Sequence, residues 1–189
     1  MDRQPTLEGE RLLLRPMAPG DWEALYAVAA DPLVWEIHPA HDRWQEPVFS
    51  AFFEDALAKG GALVVIDKHV LSEVEGQEQR IVGSSRFQNY DPKGGGSVEI
   101  GWTFLARSHW GGSFNSEMKR LMIAHALKSV ARVYFVVGEN NLRSRRAMEK
   151  IGGRLDDWSE LREMAGGWVR HVRYVIDRES FATGPLSRA

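Results

Sequence analysis

The sequence predicts an α/β (α+β) fold with one mixed, mostly antiparallel sheet of six to seven strands flanked by about four helices. Three observations predict it. Residues 98–105 read as a strand, pass through a turn of small residues into a helical pattern, and are followed by a nearly all-apolar strand at 132–137, which together mark a parallel crossover. Residues 62–66 and 81–87 are apolar runs on either side of a polar stretch, as in an antiparallel meander. Residues 155–164 and 168–177 flank Ala165-Gly-Gly167 as a closing hairpin, and the second of them alternates with period two.

In chain order, residues 1–9 read as a lead-in. Residues 11–15 form a short buried strand stopped by Pro16. Pro19 and Asp21 open a helix whose apolar side carries Trp22, Leu25, Tyr26 and Val28, and Asp31-Pro32 ends it. Residues 33–45 are irregular and aromatic, with two His and one Pro, and read as a binding loop or lid. A second helix runs over 46–59, carries Phe49, Phe52, Phe53 and Ala56, and closes at Gly60-Gly61. The polar residues 68–80 suggest an exposed hairpin connection. Residues 89–96 have three glycines but no following helix, so they read as a hairpin tip rather than a phosphate loop. A helix over 142–151 closes at Gly152-Gly153, and 179–189 read as a flexible tail of a single domain spanning 1–189, with its core at about 7–178.

The chain has 189 residues, enough for one domain with a sizeable core, and 43% are hydrophobic. A net charge of −2 gives no footprint for nucleic acid. With no cysteine, disulfides, thiol nucleophiles and thiolate metal sites are excluded. The first residues have no apolar signal core and no run reaches membrane-spanning length, so the expectation is a cytoplasmic protein away from the membrane. Seven Trp is a high count, and some of them are expected to line a groove.

The organising stretch is Trp110-Gly-Gly-Ser-Phe-Asn115, between the 98–105 strand and the next helix. Unpaired N–H groups converge at such a helix start and its dipole favours an anion. Gly111 and Gly112, with the short side chains of Ser113 and Asn115, let a phosphate approach the backbone, and Asn115 or Ser116 can cap the helix. Neither GxxxxGK[ST] nor GxGxxG is present, so a pyrophosphate held by backbone N–H groups fits better than a nucleoside triphosphate or dinucleotide.

This order of elements, with its motifs, resembles the GNAT superfamily of acyl-CoA-dependent N-acetyltransferases. Glu10-Arg-Leu-Leu-Leu-Arg-Pro16 followed by Asp21 is similar to the opening of the branch that includes the ribosomal-protein N-terminal acetyltransferases (RimJ/RimL-like). Gly138-Glu-Asn-Asn-Leu-Arg-Ser144 with Ala147-Met-Glu-Lys-Ile-Gly-Gly153 matches that branch's N-x-x-S…EK-x-G-F segment. The family's pyrophosphate loop is usually [QR]-x-x-G-x-[GA], and here Trp110, Ser113 and Asn115 stand at its key places. Gly153 stands where the family has Phe.

The resemblance implies acetyl transfer from acetyl-CoA, as co-substrate, to a primary amine by direct attack in a ternary complex. The Phe104, Leu105 and Ala106 backbone would pair with the pantetheine arm. Trp110, Gly111, Gly112, Ser113, Phe114 and Asn115 would hold the pyrophosphate. Asn141 would bond the cofactor arm, and it is also well placed as a helix N-cap. Ser144 would protonate the leaving thiolate. Glu99, on the strand bordering the cleft, is the candidate base through water, with a salt-bridged or solvent-facing strand residue as the alternative. His38, in the lid, is the second candidate base. Trp35, His38, Trp44 and Trp102 are candidates to shape the acceptor pocket, with core packing as the alternative. His38 and His41 lack a third ligand at a useful spacing, so no metal is expected. Arg143, Arg145 and Arg146 read as a solvated face from which one residue could reach the CoA 3′-phosphate. The acceptor stays open among a protein N-terminus, an amino acid, a polyamine and an antibiotic amine. A possible homodimer follows from family habit. The departures at Ser113 and Asn115 motivate a second reading, a catalytically silent acyl-CoA-binding sensor.

Overall fold

The structure is a computed structural model describing residues 1–71 and 79–188. The interior of the 68–80 connection therefore lies outside the described residues. A single sheet carries eight strands, β1 (Leu7–Glu8), β2 (Leu12–Pro16), β3 (Ala62–Leu71), β4 (Gln79–Asp91), β5 (Ser97–Leu105), β6 (Arg132–Gly138), β7 (Arg154–Met164) and β8 (Gly167–Asp177). Their order is β1-β2-β3-β4-β5-β6-β8-β7, antiparallel throughout except for the β5–β6 pair. The added strand is β1, two residues long and without its own apolar pattern, which pairs Leu7 with Leu14. Helices α1 (Trp22–Ala29) and α2 (Glu46–Lys59) cover one face, and α3 (Phe114–Leu127) and α4 (Leu142–Lys150) lie at the other.

Both faces are packed, which is why β3 reads as an unbroken apolar run. Leu63 and Val65 point to the α3 side with Met118, Met122 and Ile123, while Val64 and Ile66 point to the α2 side with Phe49, Phe52 and Phe53. Asp21 fixes the step from β2 into α1, since its buried carboxylate accepts from Arg15 at 2.7 and 2.8 Å and from the Ala18 N–H at 2.8 Å. The expected flexible tail is instead ordered as far as residue 188. Asp177 caps α5 (Arg178–Thr183) by accepting from Ser180 N, and Leu186 is buried in the core. The tail's composition is polar, and a single buried leucine with a good cap anchors it.

The crossover pair decides where a ligand fits. The β5–β6 register runs only through Ser97–Arg132, Val98–Val133 and Glu99–Tyr134. Beyond Glu99 the strands are unpaired, and the two chains diverge. Two bulges shape the border. β5 has one residue more than β4 between the pairs Gly101–Arg86 and Phe104–Ser84, and Trp102 there has φ of 54°. A left-handed aromatic residue costs on the order of 1–3 kcal/mol, so the packing around it must hold it in place. β4 has one residue more between Gln88 and Asp91, where Asn89 has φ of 48°. Such bulges re-aim side chains next to functional sites.

Candidate active site

A cavity of about 520 Å³ occupies the opening between β5 and β6. Its walls come from β5, β6, β8, the 33–45 lid, the turn before α3 and the first turns of α4.

At one end, a Cβ on Gly111 would meet nothing within 4 Å, and one on Gly112 would only touch the Phe114 ring at 3.7 Å. Helix α3 starts two to three residues earlier than expected, so Ser113 is its N-cap rather than Asn115 or Ser116. Ser113 sits at φ −80°, ψ −11°, ordinary backbone for an L-residue, so a Cβ is accommodated where the family has glycine. No side chain caps the helix, which leaves its first N–H groups available to an anion. The Ser113 hydroxyl accepts from the Arg11 guanidinium instead, and the Phe114 ring packs on His109 at 4.5 Å. Ser113 and Phe114 do not line the cavity, whereas Trp110, Gly111, Gly112 and Asn115 do.

Along β5, Phe104 and Leu105 line the cavity and Ala106 does not, because its N–H donates to Val82 O at 2.8 Å. The Leu105 carbonyl already has a partner, the Trp110 indole Nε1–H at 2.9 Å. The same indole lies under the Arg143 guanidinium at 4.0 Å, and Arg143 donates to Val34 O in the lid at 3.0 Å.

At the start of α4, Asn141 is buried and uses Oδ1 to cap the helix by accepting from Ser144 N at 3.1 Å. That leaves its amide Nδ2–H₂ and the Ser144 hydroxyl without partners among the described residues, and both residues line the cavity.

Glu99 is buried and lines the cavity. Its cross-strand neighbour Gln88 donates to Oε1 at 2.8 Å, and Asn89, re-aimed by its bulge, donates to Oε2 at 2.8 Å. It is neither salt-bridged nor solvent-facing among the described residues, and each oxygen keeps a further lone pair. His38 is half-buried in the lid, and its Nδ1 accepts from Ala40 N at 3.0 Å, so the neutral ring carries its proton on Nε2. Burial, with Arg43, Arg143 and His171 around it, pulls its pKa down to about 3. Trp35 and Trp102 line the cavity, Trp35 being buried with its Nε1–H on Ala29 O at 2.7 Å. Trp44 is exposed and lies outside it.

Three further residues of the site were not singled out from the sequence. Lys119 lies buried on α3 in the cavity wall, donating to Thr103 Oγ1 at 2.7 Å, and burial pulls its pKa down to about 7. A signal was there, because Lys119 falls on the apolar stripe with Met122, Ile123 and Ala126. Arg43, on the lid, packs its guanidinium over Trp35, Phe52 and Trp102. His171, on β8, donates Nδ1–H to Val169 O at 3.1 Å, which leaves Nε2 as an acceptor in the cavity wall. Nothing local marks either of these two.

A family model described as the acetyltransferase (GNAT) domain matches residues 11–154. No curated protein matches the sequence. Solved structures share the fold. The acetyltransferase (GNAT family) from Bacillus anthracis is 24% identical over 93% of this chain and 99% of that one, with a TM-score of 0.71. RimJ from Mycobacterium smegmatis, in complex with CoA-disulfide, is 19% identical over 94% and 87%, with a TM-score of 0.67. Spermidine N-acetyltransferase from Vibrio cholerae, in complex with CoA and spermine, is 14% identical over 93% and 100%, with a TM-score of 0.66. Those identities speak for fold; the family model, spanning most of the chain, identifies the family. The chain belongs to the GNAT family of N-acetyltransferases.

Proposed function

We propose that the protein transfers an acetyl group from acetyl-CoA to a primary amine by direct attack in a ternary complex. The observation that carries this reading is the opening of the sheet beyond Glu99 and Tyr134, with an uncapped helix start at one end and unpartnered donors from Asn141 and Ser144 beside it. The α3 N-terminus with Gly111 and Gly112 suits a pyrophosphate, and Arg146 and Lys150 on the cavity wall add positive charge to the site. Asn141 Nδ2–H₂ suits a carbonyl of the pantetheine arm. CoA-bound acetyltransferases of this fold support the choice of co-substrate.

In the reaction the amine nitrogen attacks the thioester carbon, a C–N bond forms, and the C–S bond breaks as the tetrahedral oxyanion collapses. The amine proton leaves to Glu99 through water, and the Ser144 hydroxyl gives its proton to the departing thiolate. Glu99 suits its role because two amide donors fix the carboxylate while leaving lone pairs free. His38 suits a different one. With a pKa near 3 it is a poor base, and its Nε2–H is a fixed donor for the acceptor pocket.

The test is calorimetric titration with acetyl-CoA, with ATP and NAD as controls, followed by assay of CoA release against an amine panel. Micromolar binding of acetyl-CoA with amine-dependent CoA release is the expected result. Binding without release from any amine would instead mean an acyl-CoA sensor, and no binding would remove the co-substrate assignment.

A further inference from the structure

The charges on the cavity wall are one-sided. Arg43, Lys119, Arg143, Arg146, Lys150 and Arg162 line it, against Glu99 as the one carboxylate among the described residues. Glu99 is already held by two amides. A polyamine acceptor would bring several positive charges to a wall that is itself basic.

Some of these cations are committed. Arg143 bridges Val34 O and the Trp110 ring at the cofactor end. Arg162 pairs with Glu160 at 2.7 Å. Lys119 is bonded to Thr103. Arg146 and Lys150, on α4, also have no side-chain partner among the described residues, but both are exposed to solvent. Arg43 differs from these two in being half-buried. Its guanidinium lies 4.7 to 5.4 Å from the Phe52, Trp35 and Trp102 rings, and among the described residues no hydrogen bond or ion pair engages it. Arg86, which contacts the same Trp102 ring at 5.2 Å, shows the ordinary arrangement, with Asp55 at 2.9 Å as its counterion. Burial pulls the Arg43 pKa down to about 10, so it stays charged at neutral pH, and Asp42 is the acid that partly offsets this. The three rings hold the group in place without using its N–H fork.

A half-buried guanidinium with a free fork on a cavity wall suits an anion. CoA phosphates are not well placed for it. Trp102, under Arg43, is three residues along β5 from Leu105, whose carbonyl meets the turn at Trp110, a separation of up to about 10 Å. Resting on the N-acetyltransferase reading, we infer that the amine acceptor carries a carboxylate close to its amine, and that Arg43 is the residue that selects it. A free amino acid and a peptide with an acidic residue at or next to its N-terminus both present that group.

The experiment compares kcat/KM for matched acceptors. L-leucine is set against L-leucinamide, and the peptides Ser-Glu-Ala-Ala-amide and Ser-Gln-Ala-Ala-amide form the second pair, with spermidine as a polycation. We expect one carboxylate member to be favoured roughly tenfold or more over its uncharged twin, and the favoured pair identifies the source. Arg43→Gln reduces that preference to within about twofold. Arg43→Lys, which keeps charge on the lid, retains part of the preference and guards against a misfolded lid. A preference for spermidine or for the uncharged twins, with turnover intact, overturns the carboxylate assignment and leaves the transferase reading standing. A carboxylate preference unchanged in Arg43→Gln, or weaker acetyl-CoA binding as that variant's main effect, overturns the role given to Arg43. No CoA release from any amine overturns the transferase reading and this inference with it.

Discussion

Asn141 Oδ1 accepts the backbone N–H of Ser144 at 3.1 Å, so one residue caps α4 and keeps its amide donor facing the cavity, while the residue it caps keeps its hydroxyl free. The two roles can be separated by mutation. Asn141→Asp keeps the cap acceptor and removes the donor, and we expect stability to hold while acetyl-CoA affinity falls about tenfold by calorimetry. Asn141→Ala also loses about 1 kcal/mol of stability. Ser144→Ala leaves affinity unchanged and lowers kcat roughly 100-fold.

Glu99→Gln preserves the shape of the β4–β5 border but removes the base. A fall in kcat/KM of about 100-fold or more is expected, with partial recovery at higher pH as more of the acceptor amine becomes free base. A purely structural role would show no such recovery. Gly101→Ala is a second probe, because its Cβ would sit 2.9 Å from Glu99 Oε1 and 3.1 Å from Gln88 Nε2, displacing the carboxylate.

The Trp110 indole on Leu105 O occupies a backbone acceptor that an incoming pantetheine amide would use. Acetyl-CoA binding should therefore release the indole and change tryptophan fluorescence. Trp110→Phe keeps a ring for Arg143 but has no N–H to displace. It is expected to lose most of that signal and to bind acetyl-CoA about two- to tenfold more tightly. Weaker binding would mean that the indole itself holds the cofactor.

Lys119 has its pKa drawn by burial from 10.5 to about 7. Between these values the unfolded chain holds a proton that the folded chain releases, so stability rises with pH across that window. The cost of protonation is fully developed at and below pH 7 and absent above about 10.5. Lys119→Met leaves Ser85 and Thr103 bonded to each other at 2.8 Å. It should raise stability at pH 7 by roughly 2–4 kcal/mol, an advantage that shrinks toward pH 10 in denaturant titrations.

His38 behaves in the same sense at lower pH. Its folded pKa of about 3 lies below the ordinary 6.5, owing first to burial and then to Arg43, Arg143 and His171. Its neutral form therefore stabilises the lid fully above pH 6.5, and that contribution is lost as pH falls from 6.5 toward 3. His38→Asn, which keeps an acceptor for Ala40 N, should flatten the acid side of the thermal-midpoint profile relative to wild type.

Local chemistry made much of this protein legible before folding. Apolar or alternating runs bounded by turn residues marked seven of the strands, the spacing around 110–115 marked the crossover turn, and the resemblance to the family singled out Asn141 and Ser144, with helix capping as the alternative. Those signals depend on neighbours a few residues away. The weak signals were those that depend on remote partners. β1 exists because Leu7 finds Leu14, and Leu186 is ordered by the core it enters. Glu99 gains its orientation from a bulge that brings Asn89 to the face of Gln88. Arg43 is a loop arginine like any other until Trp35, Phe52 and Trp102, from three separate segments, converge beneath it. The sequence alone determined most of the elements and singled out candidate cofactor-side residues, because both rest on short-range patterns and motifs. Only the tertiary structure decided which charges face the cavity and which of them lack a counterion, because burial and pairing are properties of residues far apart in the chain.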